Sequence, residues 1–301
     1  MYIKTLGLIG FGEAGAILAQ DIARQGVHVQ VYDKLQQDEA CRGALLTKAQ
    51  ACGVRLCASA IDASDGADLV MSAVTAGAAL EVALHLMPQL RSGQVFMDLN
   101  SVAPATKKAA HQAATHHGVD YVDAAVMAPL PPQRLKTPML LGGPRALELE
   151  TALKGLGLKV QTVANTIGVA SSIKMCRSIM IKGLEALTTE CMATARQYGA
   201  EDLVLASLHE SFPGSGWDGT LAHYLISRVA EHGFRRAEEM EEVARTVSDV
   251  GVDAHMSLAT AATQRAFAQA IRNAGLVYAD LLPFDWAQVV DQLQATPTKR
   301  P

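Results

Sequence analysis

Short apolar runs alternate with amphipathic stretches through the first half of the chain. The runs at 3–9, 27–32, 54–57, 68–74, 94–99, 119–125, 138–142 and 159–163 read as buried strands. Helical spacing of apolar residues fills 13–25, 36–52, 76–87, 104–117 and 144–155. This alternation predicts a mainly parallel sheet covered on both faces. Beyond about residue 165 the strand pattern stops. Residues 167–199 hold no proline, and between Gly168 and Gly199 their one glycine is Gly183, so they predict a single helix about 50 Å long that stops at Gly199. Further helices are expected at about 201–211, 218–231, 234–250, 254–274 and 285–294. Breaks fall at Pro213-Gly214-Ser215-Gly216, His232-Gly233, Gly251 and Pro283. The organisation expected is a domain at 1–165, a long connecting helix at 166–200 and an all-helical domain at 201–301, ending in a frayed tail from Thr296 to Pro301. There are no internal repeats.

Between the first strand and the first helix lies Gly10-Phe11-Gly12-Glu13-Ala14-Gly15. Strand, glycine turn and helix in this order are what a dinucleotide pyrophosphate requires. Gly10 permits the tight turn, Gly12 lets the phosphates approach the backbone, and Gly15 lets the helix pack on the strand. The anion then sits on the N–H groups of the helix start. The second strand ends at Asp33, whose carboxylate suits ribose hydroxyls and repels a 2′-phosphate, so NAD is favoured over NADP; Lys34 weakens that preference. The plainer alternative is a glycine turn in an α/β protein that binds no nucleotide, with Asp33 a solvated loop carboxylate. The fold class expected is α/β: a Rossmann-type, doubly wound parallel sheet, then the connecting helix and an all-α domain. Val74-Thr75 and Asn100-Ser101, like Gly10 and Asp33, fall at the C-terminal ends of strands, where such sheets bind ligands.

Composition narrows the partners. Of 301 residues half are hydrophobic, enough for a large core, and the net charge is −4 without a basic run, which argues against nucleic acid. The five cysteines show no CxxC spacing and no histidine cluster completes them, so no metal site is expected and a reducing cytoplasm is. No apolar run reaches the length of a membrane span, and no cleavable leader is apparent.

The connecting helix carries the sharpest candidate chemistry. At roughly 100° per residue, Ser171, Lys174, Ser178, Lys182, Glu185 and Thr189 share one stripe about 80° wide, opposite Cys176, Ile179, Met180, Leu184 and Leu187. Such a stripe either lines a cleft, where a lysine's pKa falls toward neutrality and it can move protons, or faces solvent with ordinary i,i+4 pairs. The methionines and cysteines of 171–192 are expected in the core.

With the glycine motif, the strand ending Asp98-Leu99-Asn100-Ser101-Val102-Ala103-Pro104 and the helix opening Gly168-Val169-Ala170-Ser171-Ser172-Ile173-Lys174, the chain resembles the β-hydroxyacid dehydrogenases, relatives of 6-phosphogluconate dehydrogenase. Order and spacing match over about residues 1–200. His232 to Met240 resembles a branch with a divergent C-terminal domain of the phosphogluconate-dehydrogenase type. The resemblance implies that Lys174 takes the proton of a C3 hydroxyl while hydride leaves for nicotinamide, that Asn100 and Ser101 lie beside nicotinamide and substrate, and that Val74 and Thr75 line the nucleotide cleft. It further implies that Asp123 to Pro129 form the substrate loop.

Two departures stand out. The family's asparagine four residues after its lysine is Ser178 here, a shorter group with one donor. Its Ser-Gly-Gly substrate loop is Met127-Ala128-Pro129, followed by Leu130-Pro131-Pro132, which offers fewer N–H groups for a carboxylate. Lys182, His232, Arg235 and Arg236 are then the candidate cations for the substrate, as related enzymes complete a neighbouring subunit's site from this domain; alternatively the arginines pair with nearby glutamates. Arg134 and Lys136 are expected at the surface. The expectation is an NAD-dependent dehydrogenase of a small anionic 3-hydroxy acid or sugar acid, with or without decarboxylation, acting as a homodimer through the helical domain. An imine reductase on the same architecture, or a non-catalytic dinucleotide-binding redox sensor, is the alternative.

Overall fold

The computed structural model describes residues 1–295, so the tail expectation at 296–301 lies outside the described residues. Eight strands form one sheet: β1 (Thr5–Ile9), β2 (His28–Tyr32), β3 (Arg55–Leu56), β4 (Leu69–Ser72), β5 (Val95–Asp98), β6 (Asp120–Val126), β7 (Met139–Gly142) and β8 (Val160–Ala164). Their order is β3-β2-β1-β4-β5-β6-β7-β8. All neighbours are parallel except β6 and β7, which pair antiparallel with Asp123 opposite Gly142. The order reverses between β1 and β4. There the chain leaves β1 toward β2 on one side and returns as β4 on the other, opening the crevice where such sheets bind ligands.

The helices are α1 (Glu13–Ala23), α2 (Glu39–Cys52), α3 (Ala60–Ser64), α4 (Ala79–Leu86), α5 (Pro104–His116), α6 (Leu130–Gln133), α7 (Ala146–Gly155), α8 (Val169–Tyr198), α9 (Glu201–Ser211), α10 (Leu221–Ser248), α11 (His255–Asn273) and α12 (Trp286–Ala295). The central strands are buried on both faces, which is why they read as continuous apolar runs. One core, with Leu6, Leu8, Leu18, Ile22 and Leu149, lies under α1, α2 and α7; a second, with Val70, Phe96, Leu86 and Ala110, lies under α3, α4 and α5. Each such aliphatic side chain contributes about 1.5–3 kcal/mol by leaving water.

The chain divides into two compact units, Met1–Met175 and Cys176 onward, and α8 begins in the first and continues in the second. In the second unit, α10 is unbroken from Leu221 to Ser248, which corrects the break expected at His232-Gly233. Gly233 stays helical and serves close approach instead: a Cβ there would lie 2.6 Å from the Gln264 carbonyl oxygen and 2.8 Å from Cβ of Ala268 on α11.

The exposed face of α8 is a second correction. Cys176, Met180, Leu187 and Cys191 are exposed, Met180 to 74%, whereas Met175 and Met192 are buried as expected. The polar stripe is the buried one. Among the described residues no helix is long and apolar enough to cross a membrane.

Candidate active site

The glycine turn has the shape its sequence demands. Gly10 sits at φ +96°, where a Cβ would meet the Ala73 carbonyl oxygen at 2.3 Å, and a Cβ on Gly15 would meet the Gly10 carbonyl oxygen at 2.0 Å. Nothing lies within 4 Å of the position a Gly12 Cβ would take. Gly12 is also the N-cap of α1, and no side chain caps the helix, so its first N–H groups, those of Glu13 and Ala14 included, face the open cradle a pyrophosphate needs. Phe11 contributes backbone only, for its ring is buried in the core.

Asp33 ends β2 and ties the turn together. Phe11 N–H donates to its Oδ2 at 2.8 Å and Leu35 N–H to its Oδ1 at 3.0 Å. A carboxylate has lone pairs left after two such bonds, so ribose hydroxyls can still be accepted. Lys48 on α2 completes the turn, donating to the carbonyls of Phe11 at 2.7 Å and Gly12 at 3.1 Å. Sequence reasoning missed Lys48, because its partners lie more than thirty residues earlier.

At the ends of β4 and β5 the chain forms a second cluster. Val74 N–H donates to Asn100 Oδ1 at 2.7 Å, and Asn100 Nδ2 donates to Ser72 Oγ at 3.0 Å. Asn100 therefore joins two loop mouths, and both ends of its buried amide are engaged. Thr75 caps a short helical turn without a side-chain bond.

Lys174, on the second turn of α8, donates to Ser101 Oγ at 2.5 Å. A lysine and a hydroxyl 73 residues apart thus meet in the first unit, half-buried, at the C-terminal edge of the sheet.

Beneath this pair lies a buried ionic cluster that sequence reasoning did not assemble. Lys107 of α5, fully buried, is 2.9 Å from Asp98 Oδ1 and 3.6 Å from Asp123 Oδ1, and donates to the Asp98 carbonyl at 2.7 Å. Tyr121 donates to Asp98 Oδ2 at 2.6 Å. Burial, and after it the Asp98 charge, pushes the Tyr121 phenol well above its usual range, so it stays a donor. Asp98 Oδ1 also accepts Asn100 N–H at 2.8 Å. Asp123 Oδ2 accepts the N–H of Gly168 and of Ser171, both at 3.1 Å, and the Ser171 hydroxyl at 3.0 Å, which caps the start of α8. A signal for Lys107 was present: with Ala103, Ala110 and Ala114 it occupies the buried stripe of α5.

The loop after β6 keeps little for an anion. Met127 N–H is taken by the Pro138 carbonyl at 2.9 Å. Arg134, at φ +50°, forms two bonds to Asp21 of α1, at 2.7 and 2.8 Å, and a third to Gln20 at 2.8 Å, and so fastens this loop to α1. Lys136 donates to the Gly157 carbonyl at 3.0 Å.

In the second unit the remaining candidates meet one another. Lys182 lies 2.7 Å from Glu239 and donates to Ser178 Oγ at 3.2 Å. Arg236 donates to both oxygens of Glu185, at 2.9 and 2.7 Å, and Gln264 of α11 donates to the same carboxylate at 3.3 Å. Arg235 is exposed and pairs with Glu239 at 2.8 Å; His232 lies 3.2 Å from Glu231. Burial pushes the Glu185 carboxyl up and the Arg236 guanidinium down, each against the pull of its partner, so desolvation outweighs attraction in this pair. Burial first, then the charges of Arg228, Arg235 and Arg236, pushes the His232 imidazole down to about 4. Among the described residues no group of His, Cys, Asp and Glu is arranged to hold a metal.

Known proteins resemble the chain over parts of both units. Residues 5–147 match the NAD binding domain of 6-phosphogluconate dehydrogenase, and residues 195–267 match a domain of unknown function, DUF1932. A conserved hypothetical protein from Sinorhizobium meliloti 1021 is 38% identical, with 96% of each chain covered and a TM-score of 0.74. An NAD-dependent L-serine dehydrogenase of Pseudomonas aeruginosa is 27% identical over 71% of this chain and 72% of its own. A 3-hydroxyisobutyrate dehydrogenase of the same organism is 25% identical over the same shares.

Proposed function

Because the chain belongs to the β-hydroxyacid dehydrogenase family and carries an NAD(P)-binding domain of the 6-phosphogluconate dehydrogenase type, we propose that it oxidises a small 3-hydroxy acid with NAD, using Lys174 as the proton-transfer group. The observation that carries this reading is the Lys174–Ser101 contact of 2.5 Å at the mouth of the sheet. A bound dinucleotide supplies the hydride acceptor. Gly10, Gly12 and Gly15 with the start of α1 hold its pyrophosphate, and Asp33 accepts its ribose hydroxyls, which favours NAD.

In the neutral form Lys174 Nζ accepts the proton of the C3 hydroxyl as hydride departs; in the reverse direction the ammonium returns it. Ser101 donates to the substrate or relays its proton, since a hydroxyl is both donor and acceptor. Asn100 acts by holding the two loop mouths in register. Ser178, at the position of the family's asparagine, accepts from Lys182 within the second unit. The product of oxidation β to a carboxylate is a β-keto acid, so release of carbon dioxide belongs in the same assay. The relatives' substrates, L-serine and 3-hydroxyisobutyrate, set the size class proposed.

A lysine paired with a hydroxyl has a use in moving a proton to or from an alcohol; a sensor that only binds dinucleotide has none for it. The test is NADH formation at steady state over a panel of short 3-hydroxy acids that includes L-serine and 3-hydroxyisobutyrate. Turnover of at least one supports the proposal, and cofactor binding without turnover of any contradicts it.

A further inference from the structure

We propose that Lys107 is a positioning residue, whose single buried ammonium ties the loop carrying Asn100 and Ser101 to the helix carrying Lys174. The inference rests on the reading of Lys174 as the proton-transfer group. Each of the two carboxylates beside Lys107 holds the backbone of a different part of the site. Asp98, at the end of β5, holds Asn100 through its N–H, one residue before Ser101. Asp123, on β6, holds Gly168 and Ser171 at the first turn of α8, three residues before Lys174.

Asp123 Oδ1 is buried and accepts no hydrogen bond, and the ammonium of Lys107 at 3.6 Å is the charge that compensates it. Lys107 itself is anchored by three oxygens, the Asp98 carbonyl, Asp98 Oδ1 and Asp123 Oδ1, and is inaccessible to solvent. Without the ammonium, two buried carboxylates face one another across β5 and β6, where Asp98 and Asp123 are direct register partners. Like charges so placed repel, and relief comes by moving either the Asn100 loop or the start of α8. Either movement changes the Lys174–Ser101 distance, and displacements of an ångström in a reacting pair cost large factors in rate. Lys107 touches neither partner, so it acts through their placement.

The experiment compares Lys107→Met, Lys107→Arg and Ser171→Ala with the wild type. Three readings are taken: steady-state kinetics on the best hydroxy acid of the panel, amide hydrogen exchange over 168–174, and the rate at which acetic anhydride modifies Lys174, read by peptide mass spectrometry. Lys107→Met is expected to lower kcat about 10–100-fold with KM and NADH affinity within about 3-fold. Exchange at 168–174 rises and the Lys174 modification rate changes, while exchange in β1 and α1 is unaltered. Lys107→Arg keeps the charge and recovers at least half of the lost kcat on a logarithmic scale. Ser171→Ala removes one of the bonds to Asp123 and, as the milder change, lowers kcat about 3–10-fold even if Lys107→Met does not fold.

Wild-type kcat and wild-type exchange at 168–174 in both neutral variants overturn the proposal. So does a uniform rise in exchange with equal loss of NADH binding, which marks a purely structural lysine. A wild type that turns over no hydroxy acid overturns the reading of Lys174 instead; exchange and modification still decide whether Lys107 positions it.

Discussion

In the first unit, Asp98 and Asp123 spend their oxygens on backbone N–H groups of Asn100, Gly168 and Ser171, with Lys107 between them. In the second unit, Lys182, Glu185, Arg236 and Glu239 bond to one another and to Gln264, side chain to side chain. The first arrangement places loops and a helix start to within a hydrogen bond. The second fixes which face of α8 packs on α10 and α11; both leave buried atoms without a hydrogen bond, Asp123 Oδ1 in the first and Arg236 Nε and Gln264 Oε1 in the second. Buried charge thus does two jobs here. Bonded to backbone it sets the geometry of a site, and bonded to other side chains it sets the pairing of helices, at a desolvation cost that the raised Glu185 and lowered Arg236 record.

Three outcomes sharpen this contrast. Arg236→Met strands the Glu185 carboxylate in the interior and is expected to cost about 3–5 kcal/mol of stability, whereas Glu185→Leu with Arg236→Met recovers most of it. Urea denaturation of the single and double variants checks this, and a single variant within about 1 kcal/mol of wild type would remove the pair's role in helix pairing.

His232 comes next. Its folded-state pKa of about 4 lies below the ordinary value of 6.5, so the unfolded chain takes up the proton first as pH falls. Stability therefore drops between pH 6.5 and about 4, by about 3 kcal/mol from this group. His232→Gln should flatten that segment of the stability–pH curve, and an unchanged slope counts against a buried His232 imidazole beside these arginines.

The smallest effect belongs to Gly233→Ala. The added methyl meets the Gln264 carbonyl oxygen at 2.6 Å, which outweighs the gain of about 1 kcal/mol in helix propensity. A net loss of about 1–2 kcal/mol in the same denaturation assay is expected. A stabilised variant would show that α10 and α11 are not closely packed at this point.

Much of the first unit was legible because its signals are local. Gly10 to Gly15 sit between strand and helix in a fixed spacing; Gly10 and Gly15 answer to close backbone contacts, and Gly12 to the open cradle beside it. Lys174 was legible from its stripe, and its partner Ser101 from the strand end that carries it. Lys107 was not singled out: beside Lys108 it looks like a second surface cation, and only its alignment with Ala103, Ala110 and Ala114 marks it as buried.

The second unit inverted the local expectation for α8. A polar stripe opposite Met180 and Leu187 suggests an apolar core face, yet Ser178, Lys182 and Glu185 are the buried residues. Their partners Arg236, Glu239 and Gln264 lie more than fifty residues away, where no periodicity within α8 can register them. Gly233 was read as a breaker for the same reason: its purpose is a carbonyl on another helix.

The central claim is that Lys174 transfers the proton, and its most direct test is the paired measurement of kcat and NADH affinity in Lys174→Ala. The account predicts a kcat at least about 100-fold below wild type on the same hydroxy acid, with the NADH dissociation constant within about 2-fold. A Lys174→Ala enzyme that turns over at the wild-type rate would contradict it.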